Sequence, residues 1–369
     1  MNSPVKLLVI SDYRDFLTSR PEAELLIGLQ KAGLEVTVMT YPEAPYETKF
    51  KSAGIKVIPF HPDKKRHRPY IKKIREELIG GGYDLLHMFN SLAYSNGIPA
   101  AKGLPVKVIL YRGYTGNIHW YDFTQYFKYF HPRVDSIFCI NKEIENIFRR
   151  NKLFGGHKAV TIFNGHNPEW YSCVNSASLH AYHIPENAFV VICVANVRPM
   201  KGIPVLLKAT QHLSPNLPIH FLFVGNGFDK PNIQLLIKKS PFSSNIHIAG
   251  FVKDPLPLVA ASSLFVLPSL RGEGLSKSTM EAMSLAKPVV ITHIPGNTDL
   301  VEDGESGLLV PPGNPLLLAK AIERVYRDEK LREKLSSKAV LRMKSEFNIE
   351  KTVRELKAHY LFLLNKTEI

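Results

Sequence analysis

The reading of this chain turns on Leu270-Arg271-Gly272-Glu273-Gly274-Leu275-Ser276-Lys277-Ser278-Thr279-Met280-Glu281-Ala282-Met283. Two glutamates stand eight positions apart, with small and polar residues between them. The apolar run Leu264-Phe265-Val266-Leu267-Pro268 precedes them and reads as a strand entering a buried sheet. Glu281 to Ala286 has helix-forming composition, and Lys287-Pro288 stops it before the next strand, Val289-Val290-Ile291. Gly274, Leu275, Ser276 and Ser278 therefore lie where a strand hands over to a helix N-terminus. Backbone N–H groups without intrahelical partners, together with the helix dipole, make such a turn an anion site. A phosphate seated there leaves Glu273 to reach a hydroxyl-bearing group on one side and Glu281 another.

Apolar strands and helical segments alternate through the rest of the chain. In the first half the strand candidates are 6–10, 35–40, 56–60, 84–88, 106–111, 136–140 and 159–163. In the second they are 189–195, 220–224, 245–249, 264–267, 289–292 and 308–310. Helices are expected over 20–32, 69–79 and 142–150, and three more, 316–327, 330–346 and 350–365, close the sequence. Alternation at this period predicts an α/β protein with parallel, doubly wound sheets. The pattern lapses into Asn, Pro, Ser, Tyr and His over 166–186, which reads as a linker. The expected division is a domain over 1–165, that linker, a second domain over 187–346, and a final helical segment, 347–369.

Composition narrows the classes. Hydrophobic content of 45% and charged content of 22% over 369 residues suit a globular chain of two or three domains. No apolar run approaches the roughly 20 residues needed to span a bilayer, and the N-terminus enters a strand without a secretory leader pattern. Three scattered cysteines, Cys139, Cys173 and Cys193, make no disulfide framework; core packing in a reducing cytoplasm is the expected role of Cys139 and Cys193. The net charge is +14, spread as +8 over residues 1–170 and +6 over the rest. One cluster stands out: Lys64, Lys65, Arg66, Arg68, Lys72, Lys73 and Arg75, on a segment whose Ile71, Ile74 and Leu78 follow helical spacing. It reads as a solvated surface helix, or as a face (residues 64–75) attracted to an anionic membrane surface or an anionic acceptor. Nucleic acid is not an expected partner, because no zinc motif, recognition-helix signature or RNP-type motif accompanies the charge.

Two further motifs could carry chemistry. Ala195-Asn196-Val197-Arg198-Pro199-Met200-Lys201-Gly202 follows a strand, and Lys201 is expected to open a helix with its cation at the mouth of the sheet, where ligands bind in open α/β folds. Phe223-Val224-Gly225-Asn226-Gly227 places glycines where the backbone must bend tightly. No Asp-x-Asp triplet occurs, so a metal-held donor site is not expected.

The string from Glu273 through Glu281, Lys287-Pro288, Pro295-Gly296-Asn297 and Gly304-Glu305-Ser306-Gly307-Leu308-Leu309-Val310 resembles the donor signature of the retaining glycosyltransferases of family four. The resemblance implies a GT-B fold, two Rossmann-like domains facing a cleft, with the last helix crossing back to the first domain. It implies transfer of a sugar from a nucleotide diphospho-sugar to a saccharide or lipid-linked acceptor, in cell-surface polysaccharide or glycolipid synthesis. No cofactor and no metal are implied, and the location is cytoplasmic, free or peripheral on the inner face of the cell membrane.

The resemblance also assigns roles. Glu281 takes the ribose hydroxyls and Glu273 the transferred sugar. Lys201, helped by Arg198, neutralises the diphosphate. Gly274, Leu275, Ser276, Ser278 and Gly225 line the donor. Asn196 stands where the family usually has its arginine and is expected among the donor-binding residues. In the first half, Arg112 takes the position of the family's histidine, and His119 lies farther along the same loop. The family's glycines after the first strand are replaced by Ser11-Asp12-Tyr13-Arg14-Asp15. Two other functions fit the same motifs: a sugar-nucleotide epimerase, and a pseudo-transferase that binds nucleotide sugar without turnover.

Overall fold

The computed structural model describes residues 3–116, 118, 119, 121–150 and 156–365. Asn117, in the loop beyond Arg112, and residues 366–369 of the expected C-terminal segment lie outside them. The chain divides into two compact units, Met1–Gly165 with Phe347–Ile369, and His166–Glu346.

The first unit is built on β1 (Lys6–Ile10), β2 (Glu35–Thr40), β3 (Lys56–Pro59), β4 (Leu85–Met88), β5 (Lys107–Arg112), β6 (Ser136–Cys139) and β7 (Ala159–Thr161). All pair in parallel, in the order β3-β2-β1-β4-β5-β6-β7. Helices cover both faces of such a sheet, so its central strands read as unbroken apolar runs. The order reverses between β1 and β4, which opens a crevice beyond their C-terminal ends.

Among the helices of eight or more residues in this unit, two depart from expectation. The first runs over Phe16–Lys31 and begins before Arg20, because the Asp15 side chain accepts the Thr18 N–H at 2.7 Å and caps it ahead of Pro21. A helix over Ser91–Ala100 was not expected at all. Its Ser, Asn, Gly and Pro residues are poor helix formers, and burial of Ala93, Tyr94, Asn96 and Ile98 against the sheet overrides that weakness.

The C-terminal helix Ile349–Leu363 belongs to the first unit. It packs on Phe16–Lys31 at Gly28, where a Cβ would come within 2.4 Å of Val353. The Thr352 hydroxyl donates to Phe163 O at 2.7 Å and accepts from Gly165 N at 2.9 Å. Tyr360 Oη meets His87 Nδ1 of β4 at 2.6 Å, and Ser136 Oγ of β6 meets His359 Nε2 at 2.7 Å. Leu356 and Tyr360 are among its own buried residues.

The second unit holds β8 (Phe189–Val194), β9 (Ile219–Val224), β10 (Ile246–Gly250), β11 (Leu264–Leu267), β12 (Val289–Thr292) and β13 (Leu308–Val310). These also pair in parallel, as β10-β9-β8-β11-β12-β13, with the reversal between β8 and β11. Residues 166–186, expected as a linker, fall within this unit. They carry the short helix Glu169–Ser172, and the Ala177 N–H donates to Pro257 O at 3.0 Å. Cys139 and Cys193 are free and buried in their sheets; burial pushes the Cys193 thiol up to about 12, with Lys201 pulling the other way.

The burial of His87 makes stability depend on pH. Burial, with His359 nearby, pushes the His87 imidazole down to about 3. The folded chain keeps this ring neutral while an unfolded histidine takes up a proton near pH 6.5, so its contribution is complete above pH 6.5 and is lost as pH falls toward 3. The loss is about 1.4 kcal/mol per pH unit once the unfolded ring is protonated. Denaturant melts between pH 7.5 and 5 should show stability falling with pH, and His87→Gln should flatten that slope by one proton; an unchanged slope would sink the assignment.

Candidate functional site

Two loops meet at the C-terminal edge of the second sheet, one after β8 and one after β11, on the two sides of its reversal. Lys201 does not open the α-helix after β8, as the sequence suggested. It ends a 3-10 turn, Pro199–Lys201, and the helix starts at Ile203. The break is Gly202, held at φ 65°, where a Cβ would also lie 1.9 Å from Pro268 O. The Leu270 N–H donates to Met200 O at 2.7 Å and joins the two loops.

This close approach brings Lys201 Nζ to 2.7 Å from Glu273 Oε1. The Ser269 hydroxyl donates to the same oxygen at 2.5 Å. Both bonds fall on Oε1, and Oε2 takes neither. Glu273 is only 5% exposed, so the carboxylate is held in a fixed pose by a cation and a buried hydroxyl. Ser269 is fixed in turn, because the Thr292 hydroxyl donates to Ser269 O and Asn297 Nδ2 donates to Thr292 O at 2.9 Å. The Pro295-Gly296-Asn297 turn lies so near this backbone that a Cβ on Gly296 would sit 1.8 Å from Gly274 O.

The helix that follows spans Lys277–Ser284, its N-terminus at the expected turn, where the Ser276 hydroxyl caps it, accepting from Thr279 N at 3.4 Å and Thr279 Oγ1 at 2.9 Å. Gly274, Leu275 and Ser276 thus form the turn into its N-terminus, and Ser278 lies in its first turn beside Ser276. Glu281 lies a turn along, buried, with Lys277 Nζ 3.1 Å from its carboxylate. Gly225 turns tightly after β9, donating its N–H to Gly250 O at 2.7 Å. Asn196 Oδ1 accepts from Asn226 N at 2.8 Å and fastens that turn to the β8 loop. Arg198 is exposed and makes no side-chain hydrogen bond or ion pair among the described residues.

Sequence reasoning missed Ser269, Thr292 and Lys277. The Lys277–Glu281 pair has a readable signal in its i,i+4 spacing. Ser269 and Thr292 have none: Ser269 reaches Glu273 within a loop of no regular period, and Thr292 reaches Ser269 O from a separate strand.

Arg112 belongs to the first unit, at the end of β5. Its Nε donates to Tyr114 O at 2.8 Å, Nη1 to Tyr129 Oη at 3.2 Å and Nη2 to Gly116 O, and the guanidinium lies 3.9 Å from the Tyr114 ring centre. These bonds brace the loop that follows. Arg112 and His119 line one cavity of about 930 Å³, and His119 stacks on Tyr121 at 5.0 Å. In the loop after β1, where the family has glycines, Asp12 pairs with Arg14 at 2.7 Å and Asp15 caps the helix.

The basic segment forms the helix Arg68–Gly81, which buries Ile74 and Leu78. Arg75 turns away from solvent to donate to Ala100 O and Lys102 O at 2.8 and 2.7 Å. Lys72 pairs with Glu76, while Lys64, Lys65 and Arg68 make no salt bridge among the described residues. Among the described residues no helix is long and apolar enough to cross a membrane, and no group of three or more His, Cys, Asp or Glu side chains is placed to hold a metal ion.

The architecture and motifs match known proteins. Residues 177–342 match the family model of the glycosyl transferases group 1, and residues 23–170 match that of Glycosyltransferase Family 4. The chain belongs to the group 1 glycosyltransferases of the GT-B fold. It is 28% identical over 234 residues to the capsular polysaccharide biosynthesis glycosyltransferase CapM of Staphylococcus aureus, a match covering 60% of this chain and 59% of that protein. Among solved structures it is similar to a glycosyltransferase from Rickettsia africae, with a TM-score of 0.83, 18% identity and 99% and 100% of the two chains covered. It is also similar to HepE of Anabaena in complex with UDP-glucose, with a TM-score of 0.73, 19% identity and 96% and 99% covered.

Proposed function

We propose that the second unit binds a nucleotide diphospho-sugar and that the protein transfers its sugar, with retention at the anomeric carbon, to a saccharide or lipid-linked acceptor. The observation that carries this reading is the Lys201–Glu273–Ser269 cluster at the β8/β11 reversal, beside a helix N-terminus and one turn from Glu281. In this reading the diphosphate lies on the Gly274–Ser278 turn with Lys201 alongside. Glu273 Oε2 accepts from hydroxyls of the transferred sugar, and Glu281 accepts from those of the ribose.

Breaking the sugar–phosphate bond builds positive charge on the sugar and negative charge on the leaving diphosphate. Lys201, exposed Arg198 and the helix N-terminus stabilise the second, so the reading takes transfer as metal-independent. The acceptor then attacks from the face the phosphate leaves, and the phosphate takes its proton. A guanidinium does not deprotonate, so Arg112 serves as the brace of its loop rather than as the base its position suggests. The names of CapM and HepE's UDP-glucose complex support polysaccharide synthesis and a uridine diphospho-sugar. An epimerase would consume the donor without an acceptor, and a pseudo-transferase would bind it without turnover; acceptor-dependent release of nucleoside diphosphate separates the three.

A charge-assisted hydrogen bond is worth about 1.5–3 kcal/mol, so Glu281→Ala should weaken UDP binding about tenfold or more, as read by calorimetry; unchanged affinity would remove Glu281 from the donor site. Charge on the leaving group peaks in the transition state, so Lys201→Ala should lower kcat more than it raises KM. A pure KM effect would leave Lys201 a binding residue only.

The cations of 64–75 support docking on an anionic bilayer at the inner face of the membrane. Each free one should add about 1 kcal/mol. Flotation with anionic vesicles should exceed that with neutral ones and fade with salt. Equal flotation with both would remove the membrane from this reading.

A further inference from the structure

The cavity of the first unit sits beyond the C-terminal ends of β4 and β5, next to the β1/β4 reversal. At about 930 Å³ it has the size of a small-ligand site. Its wall combines two kinds of group. The rings of Tyr111, Tyr114, His119 and Tyr121 line it, and Tyr114 and Tyr121 are 42% and 69% exposed. Solvent-facing tyrosines in a concave wall offer flat apolar faces with a polar tip. The C–H faces and hydroxyls of a saccharide match both.

The second kind is cationic. Lys65 and Lys128 line the cavity from separate segments, and neither makes a salt bridge among the described residues. The wall carries one carboxylate, Asp122, which accepts from Thr124 N at 2.9 Å and Gln125 Nε2 at 2.6 Å. Its third cation, Arg112, is occupied in holding Tyr114 and Tyr129. Two ammonium groups therefore face the cavity without an internal counter-charge equal to them. A neutral sugar offers these ammonium groups only hydroxyl acceptors, whereas an anion also compensates their charge and makes the stronger ion-to-ion hydrogen bonds.

We infer that this cavity binds a saccharide carrying an anionic group, a uronate carboxylate or a phosphate, held between Lys65 and Lys128 with its ring on the tyrosines. The inference rests on the transferase reading only in calling this saccharide the acceptor; binding itself is tested without turnover. Arg112 then acts as a positioning residue that keeps the aromatic wall in place.

The test is an NMR titration of the full chain with methyl glucuronide, glucose 6-phosphate and methyl glucoside. At least one charged sugar should bind about tenfold more tightly than methyl glucoside. The two charged probes distinguish carboxylate from phosphate. The preference should shrink with salt and disappear in Lys65→Ala/Lys128→Ala. Tyr121→Ala should weaken charged and neutral sugars alike, while UDP affinity stays at the wild-type value in every variant. Equal binding of all three sugars, no binding of any, a preference that survives the double lysine change, or displacement of the charged sugar by UDP would overturn the inference. Failure of UDP to bind alongside an intact preference for charged sugar would support this cavity and sink the donor site instead.

Discussion

A nearly buried carboxylate, Glu273, bonded to Lys201 across the reversal of the second sheet, is the contact on which the arrangement of the second unit depends. Burying a charge is unfavourable unless it is paired and hydrogen-bonded. Ser269 and Lys201 meet that demand, and they can do so only if the loops after β8 and β11 nearly touch. Gly202 against Pro268 permits that approach, and Gly296 against Gly274 lets the turn after β12 close on the same β11 loop, since side chains at either position would force the segments apart. The glycines and the ion pair thus form one device: backbone proximity makes the bond, and the bond holds a carboxylate oxygen at the crevice.

The two units solve the same topological problem with different chemistry. In the second, glycine turns and the capped N-terminus of the Lys277–Ser284 helix stand at the sheet edge. In the first, aspartates occupy the corresponding loop after β1, and the β5 loop is held by an arginine that gives three N–H groups to its own wall. One edge is built from close backbone turns and a capped helix, the other from aromatic rings and lysines.

Much of this was legible in the sequence. Apolar runs bounded by turn residues marked all thirteen strands to within a residue or two, because burial on both faces leaves little freedom in what a central strand can contain. The Ser91–Ala100 helix was not legible, since its residues favour turns and only packing makes it helical. Asp15 caps the first helix ahead of the expected start at Arg20, a shift the apolar spacing did not show. At the candidate site, Glu273, Gly274, Ser276 and Lys201 were visible through local spacing. Ser269 and Thr292 were not, because the bond that gives each its place reaches across loops rather than along a helix or strand.

The return of Ile349–Leu363 to the first unit bears on how the chain folds. His87 and Tyr360 are partners separated by 273 residues, with the whole second unit between them. Such a contact closes a very long loop, and non-local closures of this kind slow folding. During synthesis the first sheet emerges with His87 and the face around Gly28 uncovered, and it stays so while more than a domain's length of chain is added. The unit begun first is completed last, and its open face in the interim is the surface a chaperone or a misfolding partner meets.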